Sequence, residues 1–174
     1  MEIGNKAPDF RLKGVDDKEY TLDSFKDKKI LVVIFTCNHC PYVKAYEDRL
    51  ISIQNDYSDN VQLIAINSND SIAYPDDSFE KMKERAKEKN FNFPYLRDET
   101  QEIAKDYDAE RTPHIFVFDE NRELKYTGRI DDNWQEPEKV KKQELREALN
   151  SLINGEEVKE PITHAIGCTI KWKQ

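Results

Sequence analysis

The chain has 174 residues, of which 36% are charged and 37% hydrophobic, and its formal net charge is −8. A strongly charged, acidic chain is a poor partner for nucleic acid or an anionic membrane surface, and this length suits one domain with a full core. The N-terminus lacks an apolar signal-like stretch, and no apolar run is long enough to span a bilayer, so we expect a cytoplasmic protein.

The first half of the chain predicts a hairpin followed by a strand–helix–strand unit. Apolar and polar residues alternate on both sides of a turn at 14–17, which indicates a small hairpin over 9–22. Residues 30–36 are apolar and β-branched, as in a strand buried on both faces. Apolar residues at helical spacing then run to about residue 58, and 61–66 is a second, parallel strand.

The second half predicts three helices and a terminal hairpin. A polar loop at 67–71 precedes a capping-box sequence at 77–80 and a charged helix that ends near residue 90. A short segment at 93–96 is extended, and residues 98–101 cap a short helix. Strand 114–118 returns antiparallel through 124–130.

The last helix is expected to open at Pro137 and stop at Gly155. We predict one domain over 1–174, with 1–29 as an N-terminal hairpin extension and 156–174 as a C-terminal tail.

Two cysteines follow the buried strand directly, in the sequence Cys37-Asn38-His39-Cys40. Free N–H groups and the positive end of the dipole at a helix start favour a thiolate at Cys37, which we expect to be the nucleophile. Cys40, two residues further on, is then the resolving thiol. Pro41 suits the first helical turn.

His39 lies between the two cysteines and is predicted to stabilise the Cys37 thiolate. The alternative interpretation is that His39 is simply an exposed residue of the motif, without a role in the chemistry. Trp134 follows the last strand in an acidic loop at 131–134, which either shapes a substrate groove or, as we favour, leads into the last helix. His114 is expected to be a hydrogen-bonded strand histidine, although it could approach the thiols.

Cys168 lies in the tail and is a possible third redox thiol. The preceding helix of about 17 residues would carry the chain ~26 Å away from the thiols. The residues between Gly155 and Cys168 can span up to ~43 Å when extended, so a return is possible. More commonly, such a cysteine packs as a small buried hydrophobic residue. A zinc site formed by Cys37, Cys40, His164 and Cys168 is a further alternative.

The order of strand, Cys-x-x-Cys helix, strand, helix, Thr112-Pro113, hairpin and final helix resembles the thioredoxin fold, an α/β fold with a central mixed sheet flanked by helices. This resemblance implies that Pro113 is cis and that the Thr112 backbone binds an extended substrate. The sequences at 37–43, 128–132 and 167–172 are similar to those of peroxiredoxin-like proteins in the alkyl hydroperoxide reductase and thiol-specific antioxidant branch.

Four departures from these families limit what the resemblance implies. Peroxiredoxins carry a proline and a Thr or Ser where this chain has Val33 and Cys37, and an activating arginine where it has Pro113. Thioredoxins carry a buried carboxylate at the position of Leu31, which helps to deprotonate the second thiol. Proton transfer at Cys40 therefore needs water or another acid.

These observations predict a thiol–disulfide oxidoreductase in which Cys37 attacks, Cys40 resolves, and an external thiol reductant restores the dithiol. Its substrates would be protein or low-molecular-weight disulfides, and no cofactor or metal is required. The alternatives are a thiol peroxidase with Cys37 as the peroxidatic residue, or a non-enzymatic redox-sensing or zinc-binding module.

Overall fold

A mixed sheet forms the centre of the protein, in a computed structural model that describes residues 1–174. The strands are β1 (Leu12–Gly14), β2 (Glu19–Tyr20), β3 (Ile30–Thr36), β4 (Val61–Asn67), β5 (Tyr95–Arg97), β6 (Arg111–Thr112), β7 (His114–Phe118), β8 (Leu124–Gly128) and β9 (Cys168–Thr169). The helices are α1 (Pro41–Tyr57), α2 (Phe79–Lys89), α3 (Glu102–Asp106) and α4 (Glu144–Ile153). Seven strands are ordered β2-β1-β5-β4-β3-β7-β8, while β6 and β9 pair separately.

Strand β3 is the most enclosed element of the sheet. It pairs in parallel with β4 from Ile30↔Val61 to Thr36↔Asn67, and antiparallel with β7. None of its side chains is more than 7% exposed. Alternate residues of β3 enter two different cores, because successive side chains point to opposite faces of a sheet. The predicted strand with two buried faces is confirmed.

The helices divide between these two cores. Helices α1, α2 and α4 cover one face through the buried residues Tyr46, Leu50, Ile53, Met82, Leu145 and Leu149. The short helix α3 covers the other face, with the N-terminal hairpin, through Ile103, Ala104, Phe10 and Leu12. None of the helices is long and apolar enough to cross a membrane.

Most predicted elements lie within a few residues of their expected positions, but the last helix does not. Residues Pro137–Lys139 form a separate 3-10 turn, and Val140 is extended, with φ −62° and ψ 128°. Helix α4 begins at Glu144 and has 10 residues. The acidic loop at 131–134 therefore does not lead directly into this helix, and the estimate of a long helix was wrong.

The tail, residues 156–174, runs back along the sheet to the end of β3. Its Thr163 N–H donates to the Thr127 carbonyl over 3.0 Å, beside β8. Gly128 is needed at this crossing, because a Cβ there would lie 2.1 Å from Thr163 Oγ1. Beyond the crossing, β9 pairs antiparallel with β6, with Thr112 opposite Cys168. The tail thus brings the third cysteine to the first two.

His114 has hydrogen-bond partners beside its own strand and none among the thiols. Its Nδ1 accepts from the Glu110 N–H over 3.2 Å, its Nε2 lies 3.4 Å from Thr127 Oγ1, and its ring packs on Phe116. Burial lowers the pKa of His114 to about 4, so the ring is neutral at pH 7. The expected hydrogen-bonded strand histidine is confirmed.

We predict that His114→Gln reduces the acid sensitivity of the fold. The unfolded chain takes up a proton near the ordinary pKa of 6.5, whereas the folded chain resists protonation until about 4. The folded state therefore loses stability as the pH falls through this window, by about 2 kcal/mol between about pH 7 and 5. Urea unfolding at both pH values measures the difference, which should shrink in the variant.

His164→Gln is the matched control, because His164 is exposed. This variant should keep the pH difference of the unsubstituted protein. An equal change in both variants would contradict the assignment to His114.

Candidate active site

Cys40 is the N-cap residue of α1, and the helix begins at Pro41. The free N–H groups and the positive end of this 17-residue helix therefore act on Cys40. Cys37 precedes the helix by a further turn of chain and does not occupy the helix start. This differs from the prediction that the helix start stabilises a thiolate at Cys37.

The three cysteines meet at one place, with Cys40 as the common neighbour. Cys40 Sγ lies 2.7 Å from Cys168 Sγ and 3.6 Å from the Thr112 carbonyl oxygen. Cys37 Sγ lies 3.7 Å from Thr112 Oγ1. Cys37 and Cys40 are each only 3% exposed, whereas Cys168 is half-buried.

The surroundings shift the pKa values of Cys37 and Cys40 in opposite directions. Hydrogen bonding by the Cys37 thiol, with smaller contributions from Cys168 and the Val43 N–H, lowers the pKa of Cys40 to about 4. The pKa of Cys37 is raised, because its proton is held by Cys40, the site is buried, and the Asp77 carboxylate is close. These directions, together with the position of Cys40 at the helix start, favour a thiolate on Cys40 over the expected thiolate at Cys37.

Asp77 is a buried carboxylate that sequence reasoning assigned to a helix cap. Ser78 is the actual N-cap of α2, and Asp77 turns inward with no exposed surface. Asp77 Oδ1 accepts from the Asn38 N–H over 2.8 Å, and further bonds come from Asn67 and Asn69. Part of this arrangement was predictable from the sequence. The polar loop 67–71 follows the strand beside β3, and its Asn67 and Asn69 are the residues that bind Asp77.

His39 contacts this carboxylate: its Nδ1 lies 3.2 Å from Asp77 Oδ2, and the side chain is 35% exposed. One ligand atom each from Cys37, His39 and Asp77 lie within 4.8 Å of one another, a sulfur–nitrogen–oxygen set that could hold a metal ion. The predicted zinc set does not assemble, because His164 lines a separate cavity with His114.

The Thr112–Pro113 peptide bond is cis, as the resemblance implied. Thr112 is 2% exposed and presents its carbonyl to Cys40. We call the backbone of Arg111–Thr112 the docking edge, because it is a strand edge that passes directly beside the thiols. In this structure β9 is paired with it.

Trp134 lies beside the thiol cluster through one intervening ring. It packs on Tyr42 with ring centroids 4.3 Å apart, and Tyr42 packs against the cluster of Cys37, Cys40 and Val43. The loop before it is held by Asp131, which accepts from Arg49 over 2.8 Å and from the Tyr46 hydroxyl over 2.7 Å. The loop therefore forms a fixed wall next to the start of α1.

Leu31 and Val33 are fully buried in the apolar core, so neither position supplies a polar group to the thiols. Asp77 approaches Cys37 from the segment before α2 instead. The structure thus supplies a carboxylate at the site, but from a part of the chain other than the one used by thioredoxins.

Comparison with known proteins places these features in a family. Residues 2–145 match the Redoxin family model. The solved structure of an uncharacterised conserved protein from Geobacillus kaustophilus is 43% identical, with a TM-score of 0.93 over 99% of this chain and 93% of that one. A hypothetical protein from Sinorhizobium meliloti 1021 is 35% identical, with a TM-score of 0.94 over 99% and 96%.

A named relative covers a shorter part of the chain. The thiol-disulfide oxidoreductase ResA of Geobacillus kaustophilus (strain HTA426) is 26% identical over 127 residues, which are 72% of this chain and 68% of that protein. The predicted thioredoxin-like α/β fold is confirmed by the solved structures. The protein belongs to the Redoxin family.

Proposed function

We propose that the protein is a thiol–disulfide oxidoreductase in which Cys37 and Cys40 form the dithiol/disulfide couple. The position of Cys40 carries this proposal: it caps a long helix, its pKa is lowered, and another thiol contacts it. The names of relatives such as ResA agree with the same chemistry.

The first step is attack of the Cys40 thiolate on a substrate disulfide. One sulfur of the substrate becomes bonded to Cys40, and the other leaves as a thiolate that takes a proton from solvent. Cys37 then attacks Cys40 Sγ, which forms the Cys37–Cys40 disulfide and releases the second substrate sulfur. The substrate is reduced, the protein is oxidised, and an external thiol reductant restores the dithiol.

Asp77 suits the role of proton acceptor in the second step. Its carboxylate lies within 4.8 Å of Cys37 Sγ, where the thiol must lose its proton to become a nucleophile. His39 Nδ1 lies 3.2 Å from the same carboxylate, and its partly exposed ring offers a path for that proton to leave. His39 thus acts through Asp77 rather than directly on Cys37.

The substrate class is an extended polypeptide or a small disulfide. A strand that pairs with the docking edge would bring a sulfur to Cys40, because the Thr112 carbonyl lies 3.6 Å from Cys40 Sγ. Trp134 and Tyr42 would provide an apolar wall for the substrate. This mechanism uses no cofactor.

The alternatives receive less support from the site. A peroxidase with Cys37 as the peroxidatic residue would need a thiolate at a thiol whose pKa is raised. A zinc-binding module built on His164 lacks an assembled ligand set. A redox sensor would use the same thiols, and the lack of multiple turnover would identify it.

We predict that Cys40 is required for turnover and that Cys37 resolves. In a Cys168→Ser background, Cys40→Ser should lower the rate of reduction of insulin disulfides by at least about a hundredfold, because the nucleophile is lost. In the same background, Cys37→Ser should trap a mixed disulfide on Cys40. Enzyme assays with dithiothreitol and intact-protein mass spectrometry measure these outcomes. Trapping on Cys37 instead, or unchanged turnover in both variants, would contradict the mechanism.

We predict that the Cys40 thiolate persists in acid. Its pKa is lowered from 9.0 to about 4, so the thiolate should remain at about pH 5 and be lost as the pH falls through about 4. The ultraviolet absorbance of the thiolate in the reduced protein, recorded against pH, measures this step. The step should vanish in Cys40→Ser and remain in Cys168→Ser. A step near the ordinary thiol pKa would show that Cys40 is not activated.

We predict that Asp77→Asn slows the resolving step by about tenfold, because the amide cannot accept the proton of Cys37. Rapid-quench measurement of the lifetime of the mixed disulfide against pH tests this, and the loss should be smallest at high pH, where solvent removes the proton. Asp76→Asn is the matched control, because the side chain of Asp76 is exposed. A pH-independent loss would indicate a structural role for Asp77.

A further inference from the structure

The docking edge is occupied by the protein's own tail. Strand β9 pairs antiparallel with β6, and Cys168 stands opposite Thr112 in this register. Gly167 makes the close approach possible, because a Cβ there would lie 2.1 Å from the Thr112 carbonyl oxygen and 2.7 Å from its carbon. The tail therefore sits in the manner of an extended substrate, with a sulfur at the matching position.

The sulfur of Cys168 is also close enough to Cys40 for thiol–disulfide exchange. It lies 2.7 Å from Cys40 Sγ, the thiol that carries the negative charge. Cys168 is half-buried, whereas Cys37, the other neighbour of Cys40, is 3% exposed. Of the two thiols next to Cys40, Cys168 is thus the more accessible to an external reductant.

The segment that carries Cys168 is anchored on both sides and sparsely held in between. Thr163 bonds to β8 on one side, and on the other the Ile170 N–H donates to the Glu110 carbonyl over 3.1 Å. Ile170 is itself only 3% exposed. Residues 164–166 make no backbone hydrogen bond to the rest of the chain. Such a tethered segment can leave the docking edge and return to it at a high effective concentration.

We propose that the tail is the internal partner of this site: it leaves the docking edge when a substrate binds, returns, and resolves the mixed disulfide on Cys40 through Cys168. This inference rests on the proposed function and gives the site a second resolving thiol beside Cys37. Product release follows directly, because the returning tail pairs with the same edge that the substrate had used.

The exchange balances without a further oxidant. Cys168 loses its proton to solvent and attacks Cys40 Sγ, the Cys40–Cys168 bond forms, and the bond between Cys40 and the substrate sulfur breaks. The substrate leaves as a thiolate and is protonated by solvent, so no net oxidation occurs in this step. The resulting disulfide includes the accessible sulfur of Cys168, which the external reductant then attacks.

The charges around Cys168 are consistent with this role. Burial and the hydrogen bond to Cys40 raise the pKa of Cys168 to about 11, while Lys171 and Arg111 act in the opposite direction. The contribution of the Cys40 thiolate disappears once Cys40 is in a mixed disulfide. The thiol of Cys168 is therefore easier to ionise at the stage when it must attack.

The test uses the full chain with Cys37→Ser, so that Cys40 and Cys168 are the only thiols. Dithiobis(nitrobenzoate), a small aromatic disulfide, releases one coloured thiolate on capture and a second on resolution. We expect both to be released, with Cys40 and Cys168 linked in the peptide map. In Cys37→Ser/Cys168→Ser the first release should still occur, and the second should be at least about tenfold slower than in Cys37→Ser.

Gly167→Ala in the Cys37→Ser background keeps both thiols but prevents the tail from seating, and it should also slow the second release. Thr169→Ala is its matched control, because that side chain is exposed and the backbone pairing remains. Persistence of the mixed disulfide on Cys40 in the Cys37→Ser protein would overturn the inference. Absence of any capture in Cys37→Ser/Cys168→Ser would instead overturn the proposed function, and the inference with it.

Discussion

The enclosure of β3 between β4 and β7 is the constraint on which the rest of the structure depends. Both faces of β3 are buried, so the strand ends where the two cores end. The chain becomes polar directly after that point, because it leaves the apolar interior. Cys37 and Cys40 come directly after that exit. The parallel register with β4 then sets Asn67 opposite Thr36, which brings the polar segment that contains Asp77 beside the thiols.

Sequence patterns were sufficient for the parts of the fold that are dictated locally. The apolar run of β3, the spacing in α1 and the two terminal hairpins each repeat with the period of their secondary structure. The last helix was misplaced because Pro137 is equally suited to open a 3-10 turn. Val140, which follows the turn, is extended, and the Leu145 N–H donates to the Ile130 carbonyl.

The position of Cys37 and Cys40 at the end of β3 was predictable from the sequence, but the electrostatics of the candidate site were not. A Cys-x-x-Cys sequence does not reveal on which residue the helix begins, and a shift of that boundary moves the positive end of the helix from Cys37 to Cys40. Asp77 was hidden for a related reason, because Asp and Ser are equally good caps and only the packing shows which of them turns inward. Contacts between distant segments, such as Cys40 with Cys168, leave no periodic signal.

The two tryptophans of the chain lie on the two segments that border the thiols. Trp134 contacts Tyr42 at the start of α1, and Trp172 follows β9 with the Lys105 ammonium 6.0 Å from its ring centroid. A movement of the groove wall alters the surroundings of one indole, and a movement of the tail alters those of the other. The protein therefore carries two tryptophan fluorophores, one on each of the two segments that border the candidate site.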